Sequence, residues 1–317
     1  MQKMLIFETY LLVWRYKVVF PFAIVNPRKP FILLIMKNIL LLSLFLLAVH
    51  IPAFTIDKGT KEFKLIWSDE FNQYSKPDAC YWTHEKGFVR NEEFQWYQED
   101  NAFIENGLLV IEGRREKIKN PHFEAGSGNW RRNREYAEYS ASSINTRGKF
   151  EFQYGRIEVK ARIDTAIGLW PAIWTLGVAG EWPSCGEVDI MESYPSEGVQ
   201  SILANVAWGT NRRYHAKWNA RKKPLQYFLD KDPDWPQKFH VWRMDWDEQY
   251  IRLYLDDELM NEQDLSKTIN ADGSNPFHQP HYILLNLAIG GQNGGDPSNT
   301  RFPTRYEIDY VRVYQRK

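Results

Sequence analysis

The stretch Gly186-Glu187-Val188-Asp189-Ile190-Met191-Glu192 sets three acids within six residues of otherwise apolar, β-favouring sequence. On a regular strand alternate side chains share a face, so Glu187 and Asp189 point one way and Glu192 points the other. One extra residue, inserted as a β-bulge near Ile190 or Met191, resets the alternation and returns Glu192 to the acidic face. A helix cannot gather the same acids, because at about 100° per residue Glu192 lies about 140° and Asp189 about 200° round the axis from Glu187. With the bulge counted out, the two glutamates stand about four strand steps apart, roughly 13 Å between Cα atoms. Side chains that lean inward by about 4 Å each leave about 5 Å between the carboxylates. That gap suits a pair in which one carboxylate attacks a sugar's anomeric carbon and the other protonates the leaving oxygen. Asp189, between them, would hydrogen-bond the nucleophile and help to separate the two pKa values. The competing reading is a solvated acidic strand face. Alternation with Val188, Ile190 and Met191, beside a run of tryptophans, argues against it.

Composition narrows the class. The chain has 317 residues, 15% aromatic and 25% charged, enough for a sizeable core in one domain. A formal net charge of zero argues against nucleic acid as a partner and is compatible with a neutral polymer. Thirteen tryptophans are the compositional outlier, and flat indole faces lining a groove hold pyranose rings without any charge.

Strand signals run along the chain. In Arg156 to Ile163, Ile157, Val159, Ala161 and Ile163 alternate with charged residues. Tyr250 to Asp256 repeats the pattern and Asp256-Asp257 reads as a hairpin turn. Tyr282 to Ile289 is almost continuously apolar, as a central strand requires, and Pro224 to Asp230 is the best short helix. Asn275-Pro276, Gly126-Ser127-Gly128 and the segment from Asn293 to Pro297 mark loops. Trp242, Met244 and Trp246 at alternating spacing read as core. Many short strands with polar turns predict an all-β antiparallel sandwich.

Met36-Lys37-Asn38 followed by the apolar run Ile39 to Val49 reads as a second start and a secretory signal peptide over 36–53, with cleavage near Ala53. Residues 1–35 then read as an over-extended gene start, and 57–317 as the single mature domain, exported to the periplasm or beyond. A membrane anchor is the alternative, against which Lys37 and Asn38 interrupt the apolar run, so no stable span is expected in the mature form. Only Cys80 and Cys185 occur, with spacing that does not favour pairing, and Cys185 reads as a small apolar residue beside the acids. The seven histidines show no metal-binding spacing.

Trp182-Pro183-Ser184-Cys185 running into the acidic stretch resembles the signature of glycoside hydrolase family 16 in its bulged, laminarinase-like form. The similarity extends from Trp67-Ser68-Asp69-Glu70-Phe71-Asn72 to Asp309-Tyr310-Val311-Arg312-Val313-Tyr314. Between them, Tyr154-Gly155-Arg156-Ile157-Glu158-Val159-Lys160-Ala161, Gly168-Leu169-Trp170-Pro171-Ala172-Ile173-Trp174 and Leu285-Asn286-Leu287-Ala288-Ile289-Gly290-Gly291 follow the family's order. The resemblance implies a β-jelly roll whose concave sheet forms a substrate cleft, with Glu187 as nucleophile, Asp189 as its assistant and Glu192 as general acid/base. It implies sugar contacts from Trp170, Trp174 and Trp182. Glu93, Gln95 and Tyr97 are implied on the non-reducing side, and Arg156 and Asn286 on the concave face. No cofactor is required, although a structural calcium held by Asp309 and the Gly107 carbonyl is implied. Calcium takes about six or more oxygens, of which two are named.

Relatives carry a histidine on the strand after the acids, where this chain reads Leu203-Ala204-Asn205-Val206-Ala207-Trp208-Gly209. Asn205 or Trp208, or His215 from the next loop, would then assist the acid/base. The expected activity is retaining endo-hydrolysis of a β-1,3- or mixed-linkage β-glucan by a monomer. Two alternatives stay open. One is endo-β-1,4-galactosidase action on mucin, keratan or agar-type glycans, with Arg212-Arg213 and Arg221-Lys222-Lys223 available to anionic groups. The other is a lectin without turnover.

Overall fold

The computed structural model describes residues 62–316, so the expected signal peptide and the segment before it lie outside the described residues. The described chain forms the predicted sandwich of two antiparallel sheets. The seven-stranded sheet runs, edge to edge, Ala216–Pro224, Val199–Gly209, Glu187–Ser196, Leu169–Gly177, His281–Ile289, Ser143–Asn145 and Thr83–His84. The eight-stranded sheet runs Glu258–Asp264, Tyr250–Leu255, His240–Trp246, Gly155–Arg162, Thr304–Arg316, Leu108–Gly113 and Ala102–Glu105, and Phe63–Asp69 pairs with Thr304–Arg316.

Alternation fills the space between the sheets. Ile157, Val159 and Ala161 are fully buried while Arg156, Glu158, Lys160 and Arg162 face outward, so the strand contributes its apolar face and solvates its charged one. Opposite them stand Ile173, Val188, Ile283 and Leu285, each at 1% exposure or less. Each such side chain contributes roughly 1.5–3 kcal/mol by leaving water. All nine residues of His281–Ile289 are buried, as expected of a central strand. Trp242, Met244 and Trp246 join the core. Asp256 and Asp257 take φ values of 46° and 67°, the left-handed pair that a two-residue hairpin turn demands. The short helix Leu225–Leu229 falls inside its predicted window.

The acidic strand is bulged where the sequence requires it. Asp189 pairs with Asn205 and Glu192 with Leu203, so three steps on one strand meet two on the other. On the opposite side Trp174 pairs with Asp189 and Ile173 with Met191. Ile190 is the surplus residue, and both Ile190 and Met191 turn into the core. Deleting Ile190 leaves Glu187, Asp189 and Glu192 in plain alternation on the cleft face, so it is expected to keep the acids together while losing the buried Ile190 side chain, at a cost of about 2–5 kcal/mol. Ile190→Val keeps the residue count and is expected to lose only about 0.5–1.5 kcal/mol. Urea titration of both variants checks the difference.

Candidate active site

A cleft of about 650 Å³ opens on the outer face of the seven-stranded sheet, with the three acids on its floor. Strand pairing arranges the floor in rows. Leu176, Glu187, Ala207 and Trp218 face one another across four strands, as do Trp174, Asp189, Asn205 and Ala220. The next row carries Asn286, Ala172, Glu192 and Leu203.

Indole and amide N–H groups hold the glutamates. Trp170 Nε1 donates to Glu192 Oε1 at 2.7 Å and Asn205 Nδ2 donates to Glu192 Oε2 at 2.8 Å. Trp182 Nε1 donates to Glu187 Oε2 at 2.8 Å. Asp189 is 3% exposed, and no N–H or hydroxyl group reaches its Oδ2. It shares the cleft floor with both Glu187 and Glu192, beside Asn205 in its own row. Burial, followed by the charges of Glu192 and Glu187, raises Asp189 well above the ordinary carboxyl range. Burial also lifts Glu187, with Glu192's charge adding to it, to about 7. Burial raises Glu192 too, against the three hydrogen bonds from Trp170, Asn205 and Asp189 that favour its charged form.

One flank of the cleft is hydrogen-bonded into rigidity. Trp174 Nε1 donates to Asn286 Oδ1 at 2.7 Å, and Asn286 Nδ2 donates to Tyr97 Oη at 3.2 Å, so the amide fixes the indole. Arg90 sits 5.1 Å from the Trp174 ring centre and is ion-paired with Glu85. Glu93 is 2% exposed and accepts from Gln95 Nε2 at 2.7 Å. Burial pushes its carboxyl up, and Arg90's charge pulls it back. Gly290 and Gly291 turn the chain at φ 65° and 70°, and a Cβ on Gly290 would meet the Phe94 ring at 2.2 Å. That turn delivers Gln292 and Asn293 to the cleft edge.

Of the residues expected to touch sugar, Trp170, Trp174, Trp182, Glu93, Asn205 and Asn286 line the cleft. Gln95 and Tyr97 stand behind it and support Glu93 and Asn286. Two expectations are corrected. Trp208 is an odd number of positions from Asn205 on an unbulged stretch, so it points into the inter-sheet core at 7% exposure. Arg156 belongs to the other sheet, where Asp245 holds it in a two-pronged pair at 2.6 and 2.8 Å. Of the two oxygen donors expected for calcium, the Asp309 carboxylate accepts from Lys160 Nζ at 2.7 Å. Among the described residues no group of three or more acidic, His or Cys side chains could hold a metal. Both cysteines are free, Cys80 exposed and Cys185 buried beside the acids. Arg90, Tyr194, Tyr214 and Trp218 also line the cleft and were not anticipated. Simple alternation from Glu192 would have found Tyr194.

Glycosyl hydrolases family 16 matches residues 90–312 of this chain. The chain belongs to that family. It is 32% identical over 302 residues to a beta-glucanase of Rhodothermus marinus, covering 88% of this chain and 96% of the relative. The glucan endo-1,3-beta-glucosidase A1 of Niallia circulans is 29% identical over 82% of this chain, which spans only 39% of that protein. A keratan-sulfate endo-1,4-beta-galactosidase of Sphingobacterium multivorum is 29% identical over 81% of this chain and 56% of its own length. A solved structure from work on endo-acting O-glycanases that human gut bacteria express to initiate mucin breakdown superimposes with a TM-score of 0.72. It is 32% identical, over 80% of this chain and 91% of that one. This family 16 protein is an O-glycosyl hydrolase of the endo-acting β-glycanase type, on the jelly-roll sandwich that its sequence predicts.

A carboxyl whose pKa is raised on folding stabilises the fold below its unfolded pKa, and that contribution is lost as pH rises through the folded value. For Asp189 and Glu187 the loss begins near the ordinary carboxyl pKa and, for Glu187, completes above about 7. Asp189→Asn removes one of these groups. The melting temperature of the variant minus that of the wild type is therefore expected to grow between pH 5 and pH 8, read by scanning calorimetry. A difference that stays flat with pH would show that Asp189 ionises normally.

Proposed function

We propose that this enzyme cleaves internal β-glycosidic bonds with retention of anomeric configuration, by double displacement. The observation that carries the reading is the Glu187–Asp189–Glu192 constellation, in which one bulged strand brings two glutamates and the buried acid between them to the floor of one cleft. Glu187 attacks the anomeric carbon, and the bond to the leaving oxygen breaks as Glu192 gives that oxygen its proton. Glu192, now a carboxylate, takes a proton from water, whose oxygen displaces Glu187 from the same carbon. Asp189 donates its proton toward the glutamates and damps their mutual repulsion as charge moves between them. The donors on Glu192 keep its carboxylate aimed while it changes role.

The first substrate reading is a β-1,3- or mixed-linkage glucan, supported by the named activities of the Rhodothermus and Niallia relatives. A second reading, endo-β-1,4-galactosidase action on galactose-containing glycans, is favoured by the TM-score of 0.72 to the O-glycanase structure. Asn205 supports it too, because an amide stands beside Glu192 where the resemblance to laminarinase-like enzymes implies a histidine. Export through the 36–53 segment and action as a monomer belong to the same proposal.

Glu187→Ser is expected to cut turnover by at least about a thousandfold and to leave oligosaccharide affinity within about tenfold, since the stacking groove survives. Proton NMR of fresh products is expected to register the β-anomer first, and an initial α-anomer would exclude retention. A panel of laminarin, lichenan, agarose, keratan and mucin O-glycans with product sizing separates the two substrate readings. Products shortened only from chain ends would contradict the endo mode.

A further inference from the structure

The two flanks of the cleft are chemically unlike. Toward Leu169–Gly177 and His281–Ile289 the wall is enclosed and rich in hydrogen-bonding groups, with Trp170 and Trp174 only 7% and 9% exposed. Toward Ala216–Pro224 it consists of Trp182, Tyr214 and Trp218, which are 37%, 55% and 48% exposed. Soluble proteins seldom leave three large rings open around one cavity unless something flat covers them.

Two of these rings are held by their polar edges. Trp182 is tied through Nε1 to Glu187. Tyr214 donates its hydroxyl to Glu181 Oε1 at 2.6 Å, and Arg213 grips the same carboxylate at 2.7 and 2.8 Å. Glu181, the neighbour of Trp182, thus straps the loop before the acidic strand to the turn between Val199–Gly209 and Ala216–Pro224. Arg213 also covers one face of Tyr214, 4.8 Å from the ring centre. Trp218 is in register with Glu187 through Ala207, two strands away, or about 10 Å between backbones. That is about the reach of the next two sugars of a chain.

The two glutamates lie along one strand, so a polymer that passes between them must cross the strands, with one end on each flank. The sugar attacked by Glu187 must be gripped and distorted, which calls for the enclosed, hydrogen-bonding flank. We infer that the open flank of Trp182, Tyr214 and Trp218 binds the leaving-group portion of the glycan by stacking on sugar rings, with Glu181 as the positioning residue that holds it together. The occupant is an uncharged stretch of hexose or hexosamine rings. Of the nearby cations, Arg213 pairs with Glu181, Lys222 with Glu197 and Lys223 with Glu258, whereas Arg221 is in the alternate register to Trp218 and Ala220 and so turns from the cleft face. The inference rests on the glycosidase reading above and goes beyond it in placing the leaving group.

The test uses the full chain and two hexasaccharides, laminarihexaose and a keratan-type poly-N-acetyllactosamine, hydrolysed in ¹⁸O water so that mass spectrometry locates each cut. Trp218→Ala is expected to lower kcat/KM about tenfold on whichever probe the wild type cuts, and to move the cut toward the reducing end as binding slides onto the enclosed flank. Trp218→Phe is expected to restore most of both effects. Glu181→Ala is expected to act in the same direction, and a tenfold rise in salt is expected to leave wild-type kcat/KM within about twofold. An unmoved cut with kcat/KM within about twofold in Trp218→Ala and Tyr214→Ala overturns the inference, as does a cut that moves the other way or a steep fall with salt. Those results beside an active wild type and an inactive Glu187→Ser would leave the glycosidase reading standing. A wild type that cuts neither probe removes both.

Discussion

A single surplus residue, Ile190, governs the chemistry of the cleft face. Without its bulge the same sequence, in plain period-two alternation, would separate Glu187 and Asp189 from Glu192 by the thickness of the sheet. With it, two consecutive apolar side chains, Ile190 and Met191, enter the core, and the strand must bend to admit both. The bend and the gathering of the acids are one event. Because both residues pack against the opposite sheet, the bulge is anchored by the whole inter-sheet core, and the glutamates are positioned by a packed element rather than by a loop.

Gathering three acids has an electrostatic consequence that their surroundings only partly relieve. Carboxyl groups in a cleft walled by Trp170, Trp174 and Ala172 lose hydration and repel one another, so all three are raised. The relief is selective. Glu192 receives two N–H donors and Glu187 one, whereas none reaches Asp189 Oδ2. A catalytic pair needs this graded environment, in which one proton can be passed among neighbours without leaving the site. The same crowding is a standing cost to folding, of the kind active sites carry and cores elsewhere offset.

Most of the fold and the centre of the site were legible because they depend on local alternation. The bulge, the buried run from Tyr282 to Ile289 and the Asp256-Asp257 turn each follow from period-two spacing and residue type. Trp208 was misplaced although the same rule, applied three positions on from Asn205, would have sent it to the core. Arg156 is a different kind of miss. Its strand was read correctly, but the pattern within one strand cannot say which sheet that strand joins, and here it lies behind the core from the cleft. Tyr214 and Trp218 were invisible for a related reason. Their place depends on the return of Ala216–Pro224 alongside Val199–Gly209, which sets Trp218 against Ala207 and thereby in Glu187's row.

That row also explains how one edge strand contributes to recognition without disturbing catalysis. Ala207 and Ala220, small residues facing the cleft, leave the floor low beside Glu187 and Asn205, so a ring on Trp218 can extend over it. Larger residues there would close the groove between the acids and the edge. The edge is also guarded as sheet edges generally must be, with Lys217, Arg221, Lys222 and Lys223 discouraging another strand from pairing. The basic run suggestive of anionic glycans thus has a sufficient structural reason, since Lys222 and Lys223 are spent on Glu197 and Glu258. Charge protects the strand, while Trp218, the one aromatic residue it carries, remains free to meet a neutral chain.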